Sequence, residues 1–366
     1  MRSIWQYHEF LAPRKIDDKI FLGEGQTPLI KSKSIGHELG IPELYFKLEN
    51  LNPTGSYKDR FAAMFVSLLQ SQSKTVCLAT SSGNTGAALA AYCAAANIRC
   101  ILAVVDGAPA AKIKQMQLYG ASTYIIRDFG KRMDVTNEVF SFLESMAASL
   151  RIPLPISAYH FCSEGMEGVE TISYELLQEE GILIDHIFSP AGGGGLTLAI
   201  AKGVNRYGLL ESVSALPKVN CVQPEGNDTI ASALRGTKKA TPVPVSTTTI
   251  SGLQVPNILD GDKVIEECTK LNGTGYVVTD AMVFDFQRKL AVREGIFCEP
   301  AGAVALAGLS EAVKKKEVNR KQTVACIITG SGFKDMASID EHHNIPQPKE
   351  LEDIYALKEV IAKIIN

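Results

Sequence analysis

The residues best suited to chemistry lie in one stretch, Asn52-Pro53-Thr54-Gly55-Ser56-Tyr57-Lys58-Asp59-Arg60. It follows an alternating apolar run, Leu44-Tyr45-Phe46-Lys47-Leu48-Glu49, that reads as a strand, and it precedes Phe61 to Leu69, which reads as a helix. Asn52-Pro53-Thr54-Gly55 is turn chemistry, and Ser56 is a candidate N-cap that places Lys58 in the first helical turn. A helix N-terminus favours anions and disfavours an ammonium. A lysine held there has a lowered pKa and becomes available as an amine nucleophile. The alternative is a solvated surface lysine paired with Asp59.

Three further strand-to-helix junctions carry a related signal: Thr80-Ser81-Ser82-Gly83-Asn84-Thr85-Gly86, Gly192-Gly193-Gly194-Gly195, and Thr329-Gly330-Ser331-Gly332. Successive glycines let unhindered backbone N–H groups converge, and the following helix adds its positive end, so a phosphate is the natural occupant of Gly192–Gly195. The alternative is a flexible turn. No Gly-Lys-Ser/Thr follows, which excludes a Walker loop, and the spacing is not the G-x-G-x-x-G of a dinucleotide site. Ser81, Ser82 and Thr85 offer hydroxyls at a second helix start, a setting for a small carboxylate, with the Asn84 amide free to contact a ring oxygen. N-cap chemistry would account for one of these hydroxyls. Thr329 adds a hydroxyl at a fourth strand end. An aldehyde cofactor with a phosphate tail would use each part, with Lys58 forming the Schiff base and the glycines holding the phosphate.

The elements that must position these groups alternate. Strands are predicted at 75–79, 100–105, 122–126, 182–188, 218–223, 277–278 and 323–328. Helices are predicted at 87–96, 111–119, 135–150, 168–178, 196–204, 281–294, 299–315 and 350–365. Continuous apolar strands interleaved with helices predict a parallel sheet covered on both faces, where ligands collect at the carboxyl ends of the strands. Residues 224–262 read as irregular, with Ile250–Asp260 as a mobile flap.

A chain of 366 residues, 46% hydrophobic, can bury a large core and suggests two domains. Its net charge of −3, without long basic runs, argues against nucleic-acid binding. No apolar run reaches membrane-spanning length and no signal peptide is evident, so a cytoplasmic protein is expected. The eight cysteines form no CxxC pair and the six histidines no ligand pattern. Buried free thiols in a reducing compartment are expected, and no metal site.

These motifs, in this order, resemble those of fold-type II pyridoxal-phosphate enzymes. Gly23-Glu24-Gly25-Gln26-Thr27-Pro28-Leu29 and Thr329-Gly330-x-Gly332-x-Lys334-Asp335 resemble signatures of the threonine synthase subgroup, and the resemblance spans roughly Gly23 to Asp335. It implies an α/β fold of two open, mostly parallel sheets with helices on both faces, like tryptophan synthase β, with pyridoxal 5'-phosphate in the cleft between domains. The implied division is 1–44 with 161–366 as the larger domain and 45–160 as a smaller mobile one. Lys58 becomes the cofactor's Schiff-base lysine and proton shuttle. Asn84 contacts the ring hydroxyl, Gly192, Gly193, Gly194 and Gly195 the phosphate, and Thr329 the ring nitrogen. Ser81, Ser82 and Thr85 hold the substrate carboxylate. The implied substrate is a small amino acid, phosphorylated in the threonine synthase reaction, and the implied assembly a homodimer. Tyr57, Phe61 and Ser331 stand where the family often has Phe, Gly and His. Ile250–Asp260 looks more like the corresponding loop of cysteine synthase and cystathionine β-synthase, which keeps replacement or elimination at a serine derivative as the alternative. A non-catalytic metabolite-binding protein on the same fold is the alternative of another class.

Overall fold

The computed structural model describes residues 3–11, 16–81, 83–108, 110–213 and 215–365. Its strands are β1 (Leu29–Lys31), β2 (Leu44–Leu48), β3 (Val76–Thr80), β4 (Arg99–Val104), β5 (Ser122–Ile125), β6 (His186–Pro190), β7 (Lys218–Pro224), β8 (Gly275–Val278) and β9 (Val324–Ile328). They form a six-stranded sheet in the order β1-β2-β9-β6-β7-β8 and a three-stranded sheet, β3-β4-β5. Every pairing is parallel except that of β1 with β2. This is the two-sheet α/β architecture that the resemblance implied.

The helices are α1 (Ile35–Leu39), α2 (Lys58–Ser71), α3 (Asn84–Ala95), α4 (Ala110–Leu118), α5 (Met133–Leu150), α6 (Tyr159–Leu177), α7 (Gly195–Leu210), α8 (Ala231–Leu234), α9 (Gly261–Lys270), α10 (Asp280–Lys289) and α11 (Pro300–Lys314). Strands β2, β6 and β9 are buried along their whole length, as near-continuous apolar runs in a parallel sheet must be. Helix α3 buries Ala87, Ala88, Ala90 and Ala91, whose small side chains let it lie close on its neighbours. Helices α2 and α6 approach so closely that a Cβ on Gly168 would fall 2.2 Å from the carbonyl oxygen of Arg60. Among the described residues no helix is long and apolar enough to cross a membrane.

Four expectations need correction. Strand β2 pairs in register with β9, Leu44 to Val324 through Leu48 to Ile328, so a domain boundary at residue 45 would cut the six-stranded sheet. The strand expected at 182–188 runs instead from His186 to Pro190, because its register is set by β7 and β9. The stretch 224–262 contains α8 and the start of α9. Within it, Ile250, Leu253 and Asp260 are buried, and the Asp260 N–H donates to the Gly193 carbonyl at 3.0 Å, so Ile250–Asp260 packs onto the glycine turn.

All eight cysteines are free and buried. The Sγ atoms of Cys77, Cys93 and Cys100 lie within 4.8 Å of one another, a convergence of β3, α3 and β4 that their linear spacing does not show.

Candidate active site

Lys58 is the first residue of α2. Tyr57, not Ser56, is the N-cap; the Ser56 hydroxyl accepts from the Lys58 N–H at 3.4 Å. The start of α2 is fastened to the end of β9. The Tyr57 N–H donates to the Thr329 carbonyl at 3.1 Å, and Ser56 forms an isolated bridge with Gly330. A strand end therefore fixes where the lysine emerges. Part of the Lys58 side chain reaches the cleft, but its amine is densely enclosed. Burial pulls its pKa down to about 7, against the opposing attraction of Glu299. Desolvation disfavours the charged form of a lysine, so the amine is free near neutral pH.

The Lys58 Nζ donates to the Ser157 Oγ at 2.5 Å, and that oxygen lies 3.0 Å from the Thr85 Oγ1. Ser157 also borders the glycine turn: a Cβ on Gly195 would fall 2.9 Å from its carbonyl oxygen. One serine thus brings Lys58, Thr85 and Gly195 together. Gly192–Gly195 joins β6 to α7, and Gly194, its N-cap, has φ +98°, a left-handed conformation that glycine adopts freely. The Gly192 carbonyl accepts from the Gln223 Nε2 at 3.0 Å and the Gly193 carbonyl from Asp260. Both are thereby taken up on the protein side, while the first N–H groups of α7 have no intrahelical acceptor.

On the other flank, the Asn84 Nδ2 donates to both carboxyl oxygens of Glu299, at 3.0 and 3.1 Å. The amide is therefore not free, contrary to the expectation from sequence; its Oδ1 is buried without a partner. The Thr329 Oγ1 donates to the Glu299 Oε1 over a long 3.4 Å. Glu299 is only 4% exposed, and burial raises its pKa against the attraction of Lys112, the Asn84 hydrogen bond and Lys334. Ser81 is partly spent on capping: its Oγ accepts from the N–H groups of Gly83 at 3.3 Å and Gly86 at 2.9 Å. Ser82 lies outside the described residues.

Sequence reading missed Ser157 and Glu299. Ser157 sits in the segment before α6, with no motif around it. Glu299 precedes Pro300 at the head of an otherwise apolar helix, and a buried carboxyl in that place was the one available signal. Gly23–Leu29 turns out to be scaffolding. The Gln26 N–H donates to Glu175, and the Thr27 hydroxyl donates to Glu49, both buried carboxylates that grip Arg60.

The arrangement can hold an aldehyde on an uncharged amine, an anion at the head of α7, and a second small anion near Thr85. Comparison with known proteins agrees with that chemistry. The family model described as "Pyridoxal-phosphate dependent enzyme" matches residues 20–330. The chain is 32% identical to a threonine synthase of Methanocaldococcus jannaschii over 91% of its length and 81% of that protein's. It is 30% identical to a threonine synthase of Halalkalibacterium halodurans, covering 92% of this chain and 91% of the other. Among solved structures, serine racemase from Dictyostelium discoideum superposes with a TM-score of 0.69 at 25% identity, covering 90% of this chain and 96% of that one. A threonine deaminase from Solanum lycopersicum superposes with a TM-score of 0.72 at 19% identity, over 93% and 94% of the two chains, a likeness of fold.

Proposed function

The chain belongs to the pyridoxal-phosphate dependent enzymes, and from that premise we propose that it is a threonine synthase-like carbon–oxygen lyase, converting O-phosphohomoserine and water to threonine and phosphate. One observation carries the placement of the chemistry: the Lys58 amine, free near neutral pH, shares Ser157 with both Thr85 and the glycine turn. The substrate class is supported by relatives named threonine synthase that match nine-tenths of this chain.

The residues fit the cofactor. The buried, unpartnered Asn84 Oδ1 is an acceptor awaiting a donor. A side chain on the glycine turn would be strained or crowded, since Gly194 has φ +98° and a Cβ on Gly195 would lie 2.9 Å from the Ser157 carbonyl oxygen. Lys58 would hold the cofactor's aldehyde carbon, Gly192, Gly193, Gly194 and Gly195 its phosphate, Asn84 its ring hydroxyl and Thr329 its ring nitrogen. When bound, pyridoxal phosphate supplies a sink for electrons released at the substrate's α-carbon.

The chain's own residues supply the rest. Thr85, with Ser81 and Ser82, would orient the substrate carboxylate at the head of α3. Lys58 has a pKa near the working pH, which suits a group that takes a proton from one carbon and returns it to another. The Ser157 hydroxyl, accepting from Nζ, holds the amine at the mouth of the glycine turn. Thr329 offers the ring nitrogen a neutral hydroxyl, which does not keep that nitrogen protonated. A weaker sink favours elimination and replacement at the side chain over transamination. Glu299, whose pKa burial raises, accepts from Asn84 and Thr329 and so orders this flank.

The discriminating experiment offers the yellow holoenzyme O-phosphohomoserine, O-phosphoserine, O-acetylserine, serine and threonine in parallel. We expect threonine and inorganic phosphate from the first. Products from the serine derivatives alone would favour replacement or elimination at Cβ, the alternative that the cysteine synthase-like loop 250–260 supports. Turnover of none would favour a binding protein.

Gly193→Val tests the turn. The new side chain must displace Leu259 or Val255, whose Cγ1 lies 3.1 Å from the added Cβ. Overpacking of this kind costs about 1–3 kcal/mol, so cofactor affinity should fall roughly tenfold or more. Titration of the apoenzyme with pyridoxal phosphate reads this directly, and unaltered affinity would remove the turn from the site.

A further inference from the structure

Beside the Asn84–Glu299–Thr329 flank lies a cavity of about 350 Å3, whose lining includes Lys112, Lys334, Gln115, Asn50, Thr54 and Ser331. Lys112 comes from α4, on the three-stranded sheet, and Lys334 from the segment after β9, on the six-stranded one. Each is only 8% exposed. A buried ammonium is costly unless an anion balances it. Among the described residues neither lysine is in an ion pair. The Lys334 Nζ donates to the Thr54 carbonyl at 2.7 Å and to the Gln115 Oε1 at 2.9 Å, and the Lys112 Nζ donates to the Ser251 Oγ at 3.4 Å.

The carboxyls in range offset the two ammonium groups only in part. Burial raises Glu299, and burial lifts Asp59 to about 7 against the pull of Thr54 and Lys334. Asp335 accepts from the Ser251 hydroxyl at 2.5 Å, and Ser251 in turn accepts from Lys112, so this carboxylate offsets part of the charge. Burial pulls Lys334 below the usual lysine range; Glu299 and Asp59 oppose this, and Lys112 lowers it further. The two ammonium groups therefore feel each other, as groups facing one space do. The same cavity wall carries the Thr54 hydroxyl, on a residue 5% exposed and beside the Asp59 carboxyl. The Thr54 hydroxyl can donate to an incoming oxygen.

We propose that this cavity is an oxyanion site, in which Lys112 and Lys334 hold phosphate or the phosphate group of a small molecule. Three acceptor oxygens and a charge near −2 match two ammonium groups and a hydroxyl. Because the lysines belong to different sheets, the anion also ties the two halves of the molecule together. It has two possible sources: the substrate's own phosphate, which rests on the threonine synthase-like reading above, or a separate phosphate ligand.

Calorimetric titration of the holoenzyme with inorganic phosphate, in a phosphate-free buffer, tests the site. Loaded cofactor keeps the glycine turn occupied. We expect one saturable isotherm, weakened roughly tenfold or more by Lys112→Met and again by Lys334→Met, as befits loss of a charge-assisted hydrogen bond. Lys114→Ala, an exposed neighbour on α4, should change nothing. Lys334 also fastens Thr54 and Gln115, so its variant is read beside a melting curve; among the described residues the Lys112 amine donates to a single serine hydroxyl, so its variant carries the test alone. Absence of saturable binding, or equal affinity in Lys112→Met, overturns the proposal. Phosphate that competes with O-phosphohomoserine assigns the site to the substrate. Phosphate that alters turnover without raising KM assigns it to a second ligand. If O-phosphohomoserine is not turned over at all, the reaction reading fails while the isotherms still decide the site.

Discussion

Lys58→Ala yields a folded protein that lacks the visible absorbance of lysine-bound cofactor and has lost activity by at least about a thousandfold, since nucleophile and proton carrier leave with one side chain. The fold should survive, because among the described residues the amine's hydrogen-bond partner is a single hydroxyl, Ser157. Removing a buried amine whose charged form burial disfavours also costs the folded state little. The wild-type amine has a second signature. Its pKa is lowered by burial to about 7, with Glu299 pulling the other way. A lowered lysine pKa means more free amine at a given pH, so the rate at which apoenzyme captures pyridoxal phosphate should rise as pH climbs through about 7, well short of the ordinary lysine range. Stopped-flow absorbance across neutral pH checks this. A rate that began to climb only in the range of an unperturbed lysine would mean that the amine sits in water, and the proposed chemistry would lose its nucleophile.

Arg60→Met should destabilise the protein by about 3–5 kcal/mol, the cost of removing one partner from a buried ion network. Arg60 is fully buried and binds Glu49 through Nε at 2.8 Å and NH2 at 2.7 Å. It binds Glu175 through NH1 at 2.5 Å and NH2 at 2.8 Å. Lys47 completes the group, its Nζ 2.6 Å from a Glu175 oxygen. Without Arg60, two buried carboxylates share one ammonium. The pH dependence follows. Burial by itself would raise Glu175, but Arg60 and Lys47 outweigh burial and hold its pKa at about 2. A folded pKa below the unfolded value of about 4.3 gives stability that is present above that value and is lost as pH falls toward about 2. In the variant the Glu175 pKa climbs, so acid unfolding should begin at higher pH. Denaturant unfolding at neutral and acidic pH measures both effects. A loss under about 1 kcal/mol would mean that the network is not taut in solution. The consequence for function is positional: Arg60 is two residues beyond Lys58, so this network anchors the turn that presents the amine.

Much of the site was legible in the linear chain, and the reason is locality. Turn chemistry at Asn52–Gly55, the glycines at 192–195 and the alternation of apolar runs with helical spacing depend on neighbours a few residues away. They identified the strand-to-helix junctions, the lysine at a helix start and the parallel class of the sheets. Where the chain's tertiary order mattered, local reading failed. Strand β2 looked like the start of a smaller domain, yet it hydrogen-bonds to β9, which lies near the other end of the chain. Ser81 looked like a ligand and is partly spent as a cap.

By itself, then, the sequence placed a lysine at a helix start, a glycine turn ahead of a second helix and a parallel α/β frame, because each is written in short-range spacing. Only the tertiary structure decided that Ser157 joins Lys58 to Thr85, that Glu299 sits between Asn84 and Thr329, and that Lys112 and Lys334 face one cavity. Ser157 lies 99 positions from Lys58, and Glu299 lies 215 from Asn84. Pairs so distant leave no periodic trace. They meet because parallel strands bring their carboxyl ends to one edge, and because the depth of burial there, absent from the linear chain, sets the charge each group can carry.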